Sequence, residues 1–178
     1  MTYSYATVEA ALATVFHAGV TAQKGALRGR IKHLQRLGLP SKGPGKGKRI
    51  SYSDAAVHAW LIALELEEFG IDPALAVQMI KGRWKDLSRF IREARSPEQH
   101  HDIVLIVRPY FMSASWTFSP EVGQEIFGSF EAGIRETEAF LKFLANEGVR
   151  ACVFNLTARL RSLDKALQSV RESEDETL

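Results

Sequence analysis

The sequence predicts an α+β protein that is mostly helical, with an N-terminal helical module followed by a small α/β unit. Apolar residues recur at helical spacing through most of the first 95 residues. Two short apolar runs, residues 103–107 and 151–156, have the length and composition of buried strands. The composition is that of a folded domain, since 46% of the 178 residues are apolar and 25% are charged.

Charge is divided unevenly along the chain. Residues 10–53 contain no Asp or Glu, and nine of the 23 Lys and Arg residues lie within residues 21–50. From residue 51 onward there are 14 basic and 20 acidic residues. A basic module joined to an acidic remainder indicates a polyanionic partner, and nucleic acid is the usual one. The alternative, a solvated cationic face without a partner, does not explain why so long a segment avoids acids.

The basic module is predicted to begin with two helices joined by a short turn. Residues 7–17 carry the apolar stripe of an amphipathic helix, which Gly19 is expected to end. A second helix is predicted over residues 24–37, with Gly38 at its C-terminal cap. Its apolar face is formed by Leu27, Ile31 and Leu34. Since cations occupy the opposite face, the pair has the form of a helix-turn-helix whose second helix presents charge to solvent.

The glycine-rich basic stretch that follows, residues 40–52, is predicted to form a β-hairpin wing. It leads into the run 48–52, where cations and β-forming residues alternate. A nucleotide-binding loop would need the order strand, glycines, helix, and the glycine spacing here fits neither of the common phosphate-binding patterns. A flexible linker is the other alternative, but too little chain precedes it to form a separate domain. A wing could carry its cations to phosphates.

Two further helices are predicted to complete the module. Ser53 and Asp54 can cap a third helix, and Asp72 with Pro73 at the first helical position opens a fourth. A shorter helix is expected in residues 83–99 before the chain leaves the module, because Ser96-Pro97 breaks the pattern.

The order of these segments resembles the winged helix-turn-helix of MerR-type regulators over roughly residues 5–82. The blocks that carry the resemblance are IKHLQRLGLP, RISYSDAAV and LEEFGIDPALAVQMI. The residues that match the family pattern are Ile31, Lys32, Arg36, Gly38, Leu39, Arg49, Tyr52, Ser53, Gly70 and Ile71. His33 and Leu34 stand where the family has paired tyrosines, and the long dimerisation helix of the family is not evident. The resemblance implies a transcriptional regulator that binds DNA.

The second half is predicted to alternate strands and helices. A helix from about Gly123 or Phe130 to Asn146 is expected between the two strands, and a last helix is expected from Thr157 onward. Two strands alone are marginal, so pairing with a second chain as a homodimer is expected. The predicted segments are a DNA-binding domain (1–82), a connecting helix and linker (83–99), a dimerisation or sensing domain (100–172) and an acidic tail (173–178).

Other classes of function find little support in the sequence. Cys152 is the only cysteine, so one chain cannot build a disulfide or a cysteine-based zinc site. His100-His101-Asp102 has no third ligand at suitable spacing, and no catalytic constellation is evident. We expect no enzyme activity, cofactor or metal. Without a secretory signal or a membrane-spanning segment, the expected location is the cytoplasm, on the bacterial nucleoid.

These observations predict a DNA-binding transcriptional regulator in which helix 24–37 enters the major groove of double-stranded DNA and the wing grips phosphates. Gln23, Lys24 and Arg28 are expected at base edges, with Lys32 and Arg36 on phosphates. The predicted DNA-contacting residues are Gln23, Lys24, Arg28, Lys32, Arg36, Lys42, Lys46, Lys48, Arg49 and Tyr52. The alternatives are an excisionase-like architectural protein of recombination, and a second half that receives an unidentified effector or acts as an enzyme.

Overall fold

The computed structural model of the protein describes residues 1–40, 50–109, 118–119, 124–125, 128–134, 142 and 152–175. Within these ranges the protein is a mostly helical α+β structure, as predicted. Its helices are α1 (Tyr5–Val15), α2 (Thr21–Arg36), α3 (Asp54–Glu68), α4 (Pro73–Gly82), α5 (Trp84–Ala94) and α6 (Leu156–Asp175). Its strands are β1 (Thr2–Tyr3), β2 (Tyr52–Ser53), β3 (Ile103–Pro109), β4 (Phe118–Ser119), β5 (Gln124–Glu125), β6 (Gly128–Ile134) and β7 (Cys152–Asn155).

Helix α1 is displaced by two residues from its predicted position. Ser4 caps its first turn, because its Oγ accepts a hydrogen bond from the Thr7 backbone N–H at 3.1 Å. At the other end His17 adopts a left-handed conformation with φ 54°, and the Ala18 N–H donates to the Ala13 carbonyl at 2.8 Å. The expectation that Gly19 ends the helix is therefore wrong, because His17 takes the left-handed position two residues earlier.

Helix α2 begins three residues earlier than predicted, at Thr21, so the turn between the first two helices is shorter. Its C-terminal end is as expected, since Gly38 has φ 86° and the Leu39 N–H donates to the Leu34 carbonyl at 2.9 Å. A side chain at Gly38 would also meet an obstacle, because a Cβ there would lie 2.8 Å from the Lys81 Nζ.

The predicted caps of α3 and α4 are confirmed. The Ser53 Oγ accepts from the Ala56 N–H at 3.3 Å, which satisfies a donor in the first turn of α3. The Asp72 carboxylate accepts from Ala74 at 2.9 Å and from Leu75 at 3.1 Å at the start of α4. Both helix starts follow from short polar side chains placed before an apolar helical stripe.

The end of the predicted wing pairs with the beginning of the chain. Strands β1 and β2 form an antiparallel pair in which Thr2 faces Ser53 and Tyr3 faces Tyr52. The Tyr3 hydroxyl also donates to the Asp54 carboxylate at 2.9 Å, so the strand pair is fixed to the first residue of α3. Residues 41–49, which include most of the predicted hairpin, lie outside the described residues.

The second half contains a three-stranded antiparallel sheet in place of the predicted β-α-β-α order. Strand β3 lies in the centre, with β6 on one side and β7 on the other. The prediction of a helix from about Gly123 or Phe130 is wrong over β5 and β6, because both segments are strands. The rest of the predicted helix falls largely on residues that are not described. Pairing along seven residues from Ile103 to Pro109 satisfies the β6 backbone and buries Phe130.

One hydrophobic core joins the first and second halves of the described chain. Helix α6 packs antiparallel on α1, since the Thr7 hydroxyl donates to Glu174 at one end and Arg159 donates to the Val15 carbonyl at the other. Phe69 at the end of α3 stacks on Phe154 of β7 with ring centroids 6.4 Å apart. The helical module therefore shares its interior with the sheet unit.

Candidate nucleic-acid interface

Helix α2 separates apolar and cationic side chains onto opposite faces. Leu27, Ile31 and Leu34 are at most 4% exposed and hold the helix on the core. Lys24, Arg28 and Lys32 are exposed and follow each other at four-residue spacing, so they form one stripe along the helix. The Lys24 and Lys32 side chains make no hydrogen bond or ion pair with any residue in the described part of the chain. Their charges are therefore directed to solvent.

This stripe, which we call the α2 cation stripe (Lys24, Arg28 and Lys32), borders a groove between α1 and α2. The groove has a volume of about 650 Å³. It is lined by Tyr5, Ala6, Glu9, Ala10, Ala13, Lys24, Leu27, Arg28 and Lys32. Three alanines with Tyr5 and Glu9 form the α1 wall, and Leu27 with the three cations forms the α2 wall, so the lining carries a net positive charge. Such an arrangement can receive a phosphate or the edge of a base.

Arg28 is the one member of the α2 cation stripe that has a protein partner in the described structure. Its guanidinium binds the Glu9 carboxylate of α1 side-on, with Nη2 to Oε1 at 2.6 Å and Nε to Oε1 at 2.8 Å. A further contact joins Nε to Oε2 at 3.0 Å. The Glu9 side chain is 14% exposed and that of Arg28 is 56% exposed. The acid therefore lies behind the guanidinium, toward the protein.

Tyr5 lies beside this ion pair in the same groove. Its hydroxyl is buried without a hydrogen-bond partner among the described residues. Burial, followed by the negative charge of Glu9, raises the pKa of Tyr5 to about 12. The phenol therefore stays neutral at physiological pH and contributes a polar but uncharged wall.

The remaining predicted contact residues have different placements. Gln23 and Arg36 are exposed on α2, and the Gln23 Oε1 accepts a long hydrogen bond of 3.4 Å from the Val20 N–H. Tyr52 is only 7% exposed, and its hydroxyl accepts from the Gln35 side chain at 2.9 Å. This placement gives Tyr52 a packing role, because little of its side chain is free to meet a partner. The wing residues Lys42, Lys46, Lys48 and Arg49 lie outside the described residues.

Arg30 is a cation of α2 that is not directed to the groove. It pairs with Glu67 at 3.2 Å and with Glu68 on the neighbouring helix α3. Burial raises the pKa of the Glu67 carboxyl, and the positive charge of Arg30 opposes that rise. Arg30 therefore ties α2 to α3 and contributes little net charge to the exposed face.

The part of α2 that is most exposed to solvent carries small residues. Ala22, Gly25 and Gly29 recur at helical spacing, and a Cβ at either glycine would meet no other atom within 4 Å. Glycine inside a helix is normally unfavourable, costing about 0.5–1 kcal/mol relative to alanine. Within the described part of the chain no neighbouring atom requires a glycine at either position, so both positions could accept a larger residue as far as packing is concerned.

Replacing Gly25 and Gly29 by alanine together is expected to stabilise the protein by about 1–2 kcal/mol, because two exposed helix glycines are removed. If DNA approaches the helix backbone there, the same variant should bind DNA at least tenfold more weakly. Urea unfolding and fluorescence anisotropy with a labelled duplex measure the two effects. Gly82→Ala, at an equally open position on α4, is the matched control. Unchanged or tighter DNA binding by the double variant would contradict the close approach.

A buried side chain of α3 contacts the backbone just after α2. Trp60 of α3 is fully buried and donates from its indole nitrogen to the Leu39 carbonyl at 2.9 Å. The Tyr52 and Trp60 rings lie 4.8 Å apart between centroids. These contacts hold Leu39, which follows α2, and Tyr52 of strand β2 on the same buried ring.

The described ranges contain neither a metal-binding cluster nor a membrane-spanning helix. No group of His, Cys, Asp and Glu side chains there is placed to hold a metal ion. Asp102, considered with the two histidines before it, accepts from the Asn155 amide at 2.7 Å and pairs with Arg161 at 3.6 Å. None of the described helices combines the length and the apolar character needed to cross a bilayer.

Sequence reasoning did not identify Glu9 as part of this site. The available signal was composition, since Glu9 is the only acidic residue in the first 53. A scan against protein-family models matched none of them, and a search of curated proteins found no match.

Proposed function

We propose that the protein binds double-stranded DNA through α2 and regulates transcription. The observation that carries this proposal is the α2 cation stripe, which is exposed along one face of a helix whose opposite face is buried. A helix of this kind can enter the major groove, where its side chains contact base edges and phosphates. Helices α1 and α2, with the short turn between them, have the order of a helix-turn-helix.

Charge distribution supports the same proposal. Arginines of α2 engage acids of the neighbouring helices, since Arg28 pairs with Glu9 and Arg30 pairs with Glu67 and Glu68. Segment 41–49 follows α2 and adds four cations with no acid. The resemblance to MerR-type regulators supports a role in transcription, with Lys32 and Arg36 at matching positions. A homodimer through the second half would place two such surfaces on one DNA site.

The proposal is tested by selecting bound fragments from genomic DNA at moderate and high salt and sequencing them. We expect an inverted repeat from the wild type. With six to eight phosphates engaged, the logarithm of the binding constant should fall against the logarithm of salt concentration with a slope of about −5 to −7.

The matched comparison uses two double variants that remove the same charge. Arg28→Ala with Lys32→Ala should weaken binding about thirtyfold. The control, Lys85→Ala with Arg92→Ala, removes two exposed cations of α5 and should leave binding close to wild type. Equal effects of the two double variants, or binding that barely changes with salt, would contradict the proposal. Fragments without a shared motif, bent on binding, would instead support the excisionase-like architectural role.

A further inference from the structure

We infer that Glu9 is a positioning residue that fixes the Arg28 guanidinium for a two-hydrogen-bond contact with a guanine, so that this pair determines one G·C position of the DNA site. The inference rests on the proposed DNA binding and goes beyond it, because it assigns one base and names the residue that enforces the choice.

The hydrogen-bond donors of Arg28 determine what its side chain can still bind. A guanidinium has five N–H donors in a rigid plane. Glu9 engages the Nε edge, through Nε at 2.8 Å and Nη2 at 2.6 Å. The opposite edge, formed by Nη1 and the second hydrogen of Nη2, has no partner in the described structure. Three donors remain, and two of them are parallel, which is the set that pairs with the O6 and N7 acceptors of guanine in the major groove.

Glu9 and Arg28 are buried to different extents. The Glu9 side chain is 14% exposed and the Arg28 side chain is 56% exposed, so Arg28 is the partner open to solvent and the acid is the covered one. An acid fully exposed at a DNA surface would be repelled by phosphates, whereas one covered by its own arginine is not. Without Glu9, the long Arg28 side chain would sample many rotamers, and ordering it would cost entropy on binding.

The Arg28–Glu9 pair and its neighbouring lysines contribute differently to DNA affinity and to the choice of base. Arg28 and Glu9 together carry no net charge, so the pair adds little to the general attraction for DNA. Lys24 and Lys32, one turn before and one turn after Arg28, keep their full charge on the same stripe. Loss of Glu9 leaves the charge of Arg28 uncompensated, which should strengthen binding to any duplex, but its distinctive effect should be on which sequences bind.

The chain offers a matched control for this idea. Glu68 also pairs with an arginine of α2, but Arg30 faces α3 and not the groove. Glu9→Gln and Glu68→Gln both remove one negative charge, so both should change non-specific binding alike. Only the first removes the group that orients Arg28. Glu9→Asp keeps a carboxylate at this position and should restore part of the preference.

The experiment is a selection of bound duplexes from a random library with the wild type, these three variants and Arg28→Ala, each checked by thermal unfolding. We expect a guanine in each half-site of the wild-type and Glu68→Gln motifs. Glu9→Gln and Arg28→Ala should lose that guanine, and their preference for it over adenine in competition should fall about tenfold to thirtyfold. Glu9→Asp should recover part of it.

Three other outcomes would each overturn the inference. If the wild type selects a motif and Glu9→Gln selects the same motif with the same guanine preference, the positioning role is overturned while DNA recognition stands. If Glu9→Gln and Glu68→Gln lose the preference equally, the effect belongs to net charge and the inference is overturned. If the wild type selects no motif at all, the proposed function fails, and the inference fails with it.

Discussion

Arg159→Ala is expected to lower the free energy of unfolding by about 3 kcal/mol. Arg159 lies at the N-terminal end of α6 and binds Glu65 of α3, a residue only 8% exposed. It also donates to the Val15 carbonyl at 3.3 Å and lies over the Phe16 ring at 4.9 Å. Its removal leaves the Glu65 carboxylate buried without its cation, and an uncompensated buried charge is costly.

The measurement is urea unfolding at neutral pH with Arg161→Ala as the matched control. Arg161 belongs to the same helix, but its side chain is 73% exposed and its contact with Asp102 is 3.6 Å long. Exposed pairs of this kind contribute at most about 1 kcal/mol. A combined Arg159→Met and Glu65→Leu variant should recover most of the loss, because no buried charge remains. Equal effects of Arg159→Ala and Arg161→Ala would show that the buried contact is not a major source of stability.

Stability is also expected to fall by about 3 kcal/mol between pH 6.5 and pH 4 through His58 alone. His58 of α3 is 5% exposed, and burial, assisted by the positive charge of Arg95, lowers its pKa to about 4, against the opposing effect of Asp54. In the unfolded chain the imidazole takes up a proton near pH 6.5, whereas in the folded protein it stays neutral to about pH 4. The unfolded state therefore binds more protons within this window, and stability is lost as the pH falls.

His58→Leu isolates this contribution. The variant replaces the imidazole by an apolar side chain of similar volume, so its stability should vary less between pH 6.5 and pH 4. Glu65, Glu67 and Asp164 have raised pKa values through burial, which adds a contribution of the opposite sign at low pH. These groups are present in both proteins, so their contributions cancel when the stability of the variant is subtracted from that of the wild type at each pH. Parallel pH profiles would contradict the assignment to His58.

The first four helices could be predicted because their signals are local. Ser53, Asp72 and Gly38 stand at positions where a cap or a left-handed residue is needed, and the structure uses each of them. Strand β6 could not be predicted in the same way. Phe130 and Ile134 stand four apart, which favours a helix, but with Ala132 they also alternate as in a strand. Pairing with the distant β3 decides between the two, and local sequence does not contain that information.

The candidate site also has one part that local sequence predicts and one part that depends on tertiary packing. Lys24, Arg28 and Lys32 could be placed on one exposed face from helical spacing alone. Their relation to Glu9 could not, because it depends on how α1 packs beside α2 across 19 residues. Tyr52 shows the same limit. Its place at the end of the predicted wing puts it among the expected DNA contacts, but pairing with β1 and the ring of Trp60 bury it.

The packing of α1 on α6 has a consequence for the order in which the protein is assembled. The Thr7 to Glu174 contact joins residues 167 apart, whereas helices α2, α3 and α4 contact one another across short stretches of chain. A growing polypeptide can dock local elements early, but it closes long loops last. We therefore expect the face of α1 that packs on α6 to be covered late in folding, after α2, α3 and α4 have packed on one another. Any DNA-binding activity that depends on the position of α1 would then be completed by a late step of folding.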